Sequence, residues 1–489
     1  MADSTMAMVA GYGRPNDGGG GVFLWQPGST EHPDDVAILA HAGQSAGRWI
    51  RQWQDAPVAP EIAGAVGDGV TDDQPAFNRL IALSHTRGAF TIALTTGRHY
   101  YMATTLDLSA GAPGLALAGP ASPRVALYSG ITAVPVTRIE LNATDGATIK
   151  LGNGQVLRDV LVWRHGLEQA PGSLADVRAQ VTTWFGEDGT GKKLSVGIFV
   201  PFDDTTVEGC MVVGFHTGIR ASGGRFKLRH NMIDAGGYAV EVSKSKDTSL
   251  IEDVQTRALW SLPAAGRDAF GDHSYRPGTG FYIHDGADGL QVNSVMSIGW
   301  VNGIWLAGST DGSPSHDDWL ISLFQPNIET PSNNGHASAG IKTTGGVRRL
   351  TIIDPRIVAG GGDADSAALD FGQEAGDPTS SANNNVTVIG GTLEVASRVG
   401  GAVLLRQGST GTLMGVTMNQ INSRLTGTLL RALPGAGEWH ILQPEVRGDH
   451  AAPWLHVDPG IAERIKITTP ASAPETKPDG GRHGPPPKP

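Results

Sequence analysis

The sequence predicts an all-β solenoid, a single-stranded right-handed parallel β-helix with three short strands per coil and an N-terminal capping helix. Three observations lead there. A five-residue apolar–turn–apolar unit recurs along most of the chain, and a second short apolar unit follows most of its copies. Successive copies are spaced by about one solenoid coil.

The first unit reads LRDVL from Leu157, VEGCM from Val207, LRHNM from Leu228, LIEDV from Leu250 and VNSVM from Val292. It continues as FQPNI from Phe324, IDPRI from Ile353, IGGTL from Ile389, MGVTM from Met414 and LQPEV from Leu442. Gly, Pro, Asn and Asp in its middle are bend residues, so it reads as strand, corner, strand. The second unit is GIFV at Gly197, GIRA at Gly218, YAVEV at Tyr238, GFYI at Gly280, GIWL at Gly303, GIKT at Gly340 and AALDF at Ala367. It supplies the third strand of each coil. Val207 to Leu228 is 21 residues and Leu228 to Leu250 is 22, near the minimum for such a coil. Leu250 to Val292 is 42, one coil plus an insertion near residues 255–279, and Leu157 to Val207 is 50, leaving an excursion over residues 164–195. Neither LxxLxL spacing nor a helical period lies between units, which argues against a leucine-rich repeat.

Composition agrees. The 489 residues are 39% apolar and 17% charged, with 68 Gly and 30 Pro, a balance that suits short strands and tight turns. A net charge of −11 speaks against nucleic-acid binding, which needs a basic face, and offers no polybasic patch for a membrane. No apolar run approaches the ~18 residues of a membrane span. The single Cys210 excludes an internal disulfide and a Cys-rich metal site, and reads as a small buried apolar residue. Residues 1–21 lack the features of a secretory signal, so the protein is expected outside the cell only by a non-classical route or as part of a particle, otherwise in the cytoplasm. Three parts are expected: a Gly- and Trp-containing segment over residues 1–60, the β-helix over 61–469, and a disordered Pro-rich tail over 470–489.

Residues 61–83 read EIAGAVGDGVTDDQPAFNRLIAL. Thr71 or Asp72 would N-cap a short helix with Pro75 in its first turn, and Ala76, Leu80 and Leu83 would share its apolar face. The run Gly67-Asp68-Gly69-Val70-Thr71-Asp72-Asp73 before that helix resembles the opening segment of pectate-lyase-like β-helix proteins. Gly18-Gly19-Gly20-Gly21-Val22-Phe23-Leu24-Trp25, followed by Gly47-Arg48-Trp49, is similar to the stretch ahead of the β-helix in phage tailspikes. The resemblance covers about the first hundred residues. It implies a polysaccharide-binding or -cleaving protein, and a homotrimer.

HExxH, paired CxxC and P-loop motifs are missing, and no cofactor or metal is implied. Candidate chemistry therefore rests on solenoid geometry. Alternate residues of a strand point outward, and equivalent residues of successive coils stack ~4.8 Å apart. The second unit then presents an outward column of Phe199, Arg220, Glu241, Tyr282, Trp305, Lys342 and Asp370. Two positions on come Pro201, Ser222, Ser243, His284, Ala307 and Thr344. Insertions after Val254 and Leu306 would overhang this strip, carrying Arg267, Asp268, Asp272, His273, Tyr275 and Arg276, then His316, Asp317 and Asp318.

The candidate catalytic residues are Glu241, Arg220, Tyr282, His284, Asp268 and Asp272, with Trp305, Lys342 and Asp285 as substrate contacts. A hydrolase needs a second carboxyl near Glu241, from Asp268, Asp272 or Asp285. A lyase needs a base and a cation, which Arg220, Glu241, Tyr282 and His284 would supply. Both readings stay open, as does a non-catalytic glycan-binding or structural particle component on the same fold. As outward residues, members of the column should tolerate isosteric exchange within about 0.5 kcal/mol.

Overall fold

The computed structural model describes residues 5–53, 57–123, 136–167, 173–186, 194–261, 274–331, 337–373, 384–396, 400–421, 427–448 and 453–469. The expected tail over 470–489 lies outside them. The repeats wind into a parallel β-helix with three ladders. The first is a 13-stranded sheet from Thr91–Ala93 to Ile465–Thr468. The second starts at His99–Met102 and the third at Leu106–Asp107. They merge into one 23-stranded sheet because Met211–Ala221 and Met232–Ser243 run through both.

From Asp159 onward, the described coils turn from the first ladder into the second through one left-handed residue. Asp159, Gly209, His230, Asp253, Ser294, Gln325, Asp354, Gly390, Gly415 and Gln443 all have φ between 46° and 66°. A single residue of this conformation redirects the chain at little cost for Gly or Asp and more for His or Gln. Ahead of it sits an inward residue, then an outward one.

The register gives the inward column as Leu157, Val207, Leu228, Ile251, Val292, Leu323, Ile352, Val388, Leu413 and Ile441. Five of the expected unit starts are therefore one residue late and one is a residue early. Leu250 precedes the inward Ile251, whereas Phe324, Ile353, Ile389, Met414 and Leu442 follow their inward residues. Phe324 and Met414 are exposed accordingly. Adjacent apolar pairs such as Leu323-Phe324 leave the face undecided in sequence, and a slip of one residue exchanges the two faces.

In the third ladder the inward column is Ile198, Ile219, Val240, Phe281, Ile304, Ile341 and Leu369, all fully buried. The glycine that opens this unit is a packing requirement. A Cβ on Gly303 would stand 2.4 Å from Ile328 Cγ2, and one on Gly340 2.4 Å from Ile357 Cγ2. Truncating Ile304 to Ala would cost about 2–5 kcal/mol, through lost transfer energy and a residual cavity. Cys210 is fully buried as expected, and burial pushes its thiol up to about 12.

Helix α1 spans Gln74–Arg87, with Ala76, Phe77, Leu80, Ile81 and Leu83 buried in the same core as the coils. Its N-cap is Asp73, in place of Thr71 or Asp72. The Asp73 carboxylate turns away from the helix to accept from Val66 N and Gly67 N. Burial, opposed by those bonds, raises its pKa to about 6. Ahead of the coils, Met6–Val9, Gly21–Gln26, Arg48–Gln52 and Ile38–Ala40 form a four-stranded antiparallel sheet.

A second helix, α2 (Leu174–Phe185), lies in the 164–195 excursion, where sequence reading placed no element. Ser173 caps it by accepting from Asp176 N. Val177, Val181 and Trp184 pack on Leu161, Trp163, Met211, Val213 and Met232, the outward side of the second ladder. The helical period there lies inside a long interruption of the coil repeat and is too short to stand out. Among the described residues no helix is long and apolar enough to cross a membrane.

Candidate active site

The outward column of the third ladder forms in the expected order. Phe199 pairs with Arg220, Arg220 with Glu241, Glu241 with Tyr282, Tyr282 with Trp305, Trp305 with Lys342, and Lys342 with Asp370. Ser243 pairs with His284 in the flanking column, but a register shift then sets His284 against Gly308 and leaves Ala307 buried.

Glu241 is the centre of a charged relay. Arg220 Nε donates to Glu241 Oε2 at 2.8 Å, and Thr217 Oγ1 donates to the same oxygen at 3.3 Å. His284 Nε2 stands 3.4 Å from Glu241 Oε1, while its Nδ1 lies 2.9 Å from Asp285 Oδ2. Asp285 is anchored in turn by Thr310, whose N and Oγ1 donate to Oδ1 at 2.8 and 2.7 Å. Burial opposes charge on Glu241, but His284 and Arg220 outweigh it and hold the carboxyl below its ordinary value. Burial likewise opposes an imidazolium at His284, but Glu241 and Asp285 prevail and raise its pKa. Burial, with Tyr238 and Asp285 behind it, raises the Tyr282 phenol, so it stays protonated. The relay thus holds two ionised carboxylates, a histidine whose charged form they favour, and a phenol that keeps its proton.

Outward does not mean exposed here. Glu241 is 8% exposed, because its partners and the aromatic rings cover it. The expectation of a change within about 0.5 kcal/mol fails for that reason. Removing a charged hydrogen bond from such a site costs about 1.5–3 kcal/mol.

Rings line the column beside the relay. Tyr238 stacks on Tyr282 at 4.5 Å, Tyr282 stacks on His284 at 4.5 Å, and Trp305 lies 5.0 Å from Tyr282. Trp305 Nε1 donates to Thr344 Oγ1 at 2.9 Å, and Lys342 Nζ sits 5.0 Å over the Trp305 ring. Thr217 and Tyr238 were missed in sequence. A bulge between Phe215 and Thr217 shifts the register, and alternation alone does not foresee it.

A wall rises next to this floor. The α2 C-terminus rests on the floor strand at Gly236, where a Cβ would meet Phe185 N at 2.6 Å and Trp184 Cβ at 2.7 Å.

Other expected residues part from the site. Arg267, Asp268, Asp272 and His273 lie outside the described residues. Arg276 belongs to a fully buried ion pair with Asp234 at 2.7 Å, at the base of that insertion. Asp317 and Asp318 are also buried rather than overhanging. Asp317 pairs with Arg348 at 2.7 Å, and Asp318 accepts from Gly286 N, Ala287 N and Gly308 N. Burial raises Asp318 to about 7 against those bonds. His316 is held 2.9 Å from Asp311, and Asp370 pairs with Arg406 at 2.7 Å. No group of three or more His, Cys, Asp or Glu among the described residues is arranged to hold a metal ion.

No family model and no curated protein matches this chain. Solved structures do. The enzymatically active domain of tailspike protein 2 of bacteriophage CBA120 superposes with a TM-score of 0.50 at 15% identity, over 80% of this chain and 55% of that one. This chain thus spans little more than half of that domain. Tailspike protein gp49 of the Acinetobacter baumannii bacteriophage Fri1, a capsular polysaccharide depolymerase, gives 0.50 at 10% identity over 92% and 72%. The catalytic unit of the GH87 α-1,3-glucanase of Streptomyces thermodiastaticus gives 0.50 at 12% identity over 84% and 74%. At such identities the likeness is one of fold. This chain is a parallel β-helix protein whose structural neighbours are phage tailspikes and polysaccharide-degrading enzymes.

Proposed function

We propose that this chain is a tailspike-like depolymerase of an acidic bacterial surface or exopolysaccharide, and that it works at the Glu241 strip. One observation carries the reading: a row of rings, Tyr238, Tyr282 and Trp305, runs beside the Glu241 carboxylate, the His284 imidazole and two cationic side chains. Rings stack on sugar faces, and Arg220 and Lys342 complement uronate carboxylates. The neighbours' chemistry, depolymerisation of capsular polysaccharide and hydrolysis of a glucan, supports the same substrate class.

β-Elimination suits the relay best. Glu241 is held ionised, so it acts as base rather than acid and takes the proton α to the uronate carboxylate. Arg220 neutralises that carboxylate as charge builds on it, and the Tyr282 phenol gives its proton to the departing sugar oxygen. Hydrolysis instead requires a second carboxyl, and Asp285 is separated from Glu241 by His284. A homotrimer bound to a virion tail belongs to the same reading.

Incubation with a panel of acidic polysaccharides tests it. Ultraviolet absorbance from unsaturated sugar ends is expected. New reducing ends without that absorbance would make the reaction hydrolysis. Binding without any cleavage would leave a glycan-binding particle component. Light scattering that returns the monomer mass would remove the trimer.

A further inference from the structure

A second constellation of the same type stands on the second ladder. Glu140 lies on the outward side of its strand, paired in register with Tyr101 on one side and Trp163 on the other. Arg138 Nε donates to Glu140 Oε1 at 2.7 Å, and His165 Nδ1 lies 2.9 Å from Glu140 Oε2. His99 Nδ1 stands 3.7 Å from Oε1, and the Tyr101 ring lies 4.2 Å from the His165 ring. Arginine, glutamate, histidine and a tyrosine against the histidine thus recur with nearly the distances of the Glu241 relay.

Fold stability does not call for this cluster. The Glu140 side chain is 7% exposed, and a buried ion network generally stabilises no better than apolar side chains of similar volume. Two imidazoles, an arginine and a tyrosine gathered on one nearly buried carboxylate, with both histidines and the arginine partly open to solvent, point instead to a functional site. Burial and Arg138 lower His99 against Glu140, so it is neutral near pH 7 and offers both a donor and an acceptor. His165 engages Glu140 through Nδ1, and no described residue bonds its Nε2. The opening loop supplies one wall, with Asp68 in register with His99, Asp72 with Tyr101, and Gly69 close against the Glu140 carboxylate. The apolar pad under α2, with Trp163 in it, supplies the other.

We propose that the Glu140 cluster is a second saccharide-binding site, which takes one neutral, hydroxyl-rich unit of the polymer; it rests on the reading of Glu241 as the processing site. The carboxylate and the imidazole edges bind hydroxyls, and the Tyr101 and His165 rings offer a face to the sugar. Asp68, Asp72 and Glu140 outnumber Arg138, so a uronate is disfavoured there. Glu140 lies three strands from Asp234, which shares the Glu241 strand, roughly 14 Å along the axis. A long polymer therefore reaches both sites, and the second holds the substrate between turnovers.

The test uses the full chain carrying Glu241→Gln, so that bound sugar is not consumed. The probe is the oligosaccharides made by partial acid hydrolysis of whichever capsular polysaccharide the wild type binds. Calorimetry should give two sites per chain. Glu140→Gln or His165→Gln, each confirmed by circular dichroism to be folded at the assay temperature, should weaken one of them about 10- to 100-fold. Trp305→Ala should weaken the other. If stoichiometry and affinities are the same with and without the Glu140 and His165 changes, the second site is overturned. Trp305-sensitive binding that survives in that case would leave the Glu241 reading standing. Binding sensitive to none of the three would overturn both.

Discussion

Glu241 and Glu140 are each held by an arginine Nε and an imidazole, yet their histidines are pushed in opposite directions. His284 lies between two carboxylates, which raise its pKa over the opposing effect of burial. His99 lies beside Arg138, which adds to burial and lowers it. The charges around His284 all work against burial, whereas those around His99 are divided between Arg138, which adds to burial, and Glu140, which opposes it. Their surroundings differ as well. Around Glu241 the rings continue along successive coils and form a continuous aromatic row. Around Glu140 the Asp68–Asp72 strand lies on one side and the apolar cluster under α2 on the other. Under the proposals above, similar side chains would serve proton transfer in one place and holding in the other.

The largest expected effect separates the two carboxylates by chemistry. Glu241→Gln keeps the shape but removes the charge and the exchangeable proton, and turnover should fall about 10²–10⁴-fold. Cleavage at the wild-type rate would move the active site elsewhere, and the insertion carrying Asp268 and Asp272 would be the next region to probe.

A third carboxylate–arginine pair calibrates what burial alone does. Asp234 and Arg276 are fully buried, and Asp234 also accepts from Leu259 N and Trp260 N. Asp234→Ala leaves an uncompensated guanidinium in the core and should cost about 3–5 kcal/mol in denaturant unfolding. Glu241→Gln should cost less, about 1.5–3 kcal/mol, because it keeps one acceptor for Arg220. Equal losses would mean that the relay is as structural as the Asp234 pair. Trp305→Ala should raise KM about tenfold and leave kcat closer to normal, since a ring contributes stacking and no proton. A loss confined to kcat would contradict a platform role.

The smallest effect is in pH dependence. Glu241 is depressed, so its contribution to stability is present above its unfolded pKa and fades as pH falls through the folded value. His284 is raised, so its contribution is complete below the ordinary imidazole value and fades as pH rises through the folded one. Between those limits the pair contributes most. In Glu241→Gln the His284 ring should titrate closer to the ordinary value, as followed by NMR. An unshifted titration would show that Glu241 does not hold that charge.

The fold was legible because a solenoid repeats its local rules. Bend residues between apolar positions recur along the chain, and the Gly-Ile units mark where coils crowd together. The outward column from Phe199 to Asp370 followed from alternation alone. Its limits show in Leu323-Phe324 and Ile352-Ile353, where two adjacent apolar residues leave the face open until a neighbouring coil sets the register. Helix α2 was missed because its apolar face answers to Trp163 and Met232, far away in sequence.

Local chemistry thus determined the coil, its corners and which residues share a column, since these depend on neighbours a few positions apart. Burial, pairing and charge waited on the folded chain. Alternation placed Arg220, Tyr282 and His284 beside Glu241, but not Thr217 or the Tyr238 ring, nor the burial that results. Nothing near Glu140 says that His99 and His165, from the coils on either side, will meet there. Stacking coils brings residues from about 20 to more than 40 positions apart within hydrogen-bonding distance, and desolvation follows from that stacking.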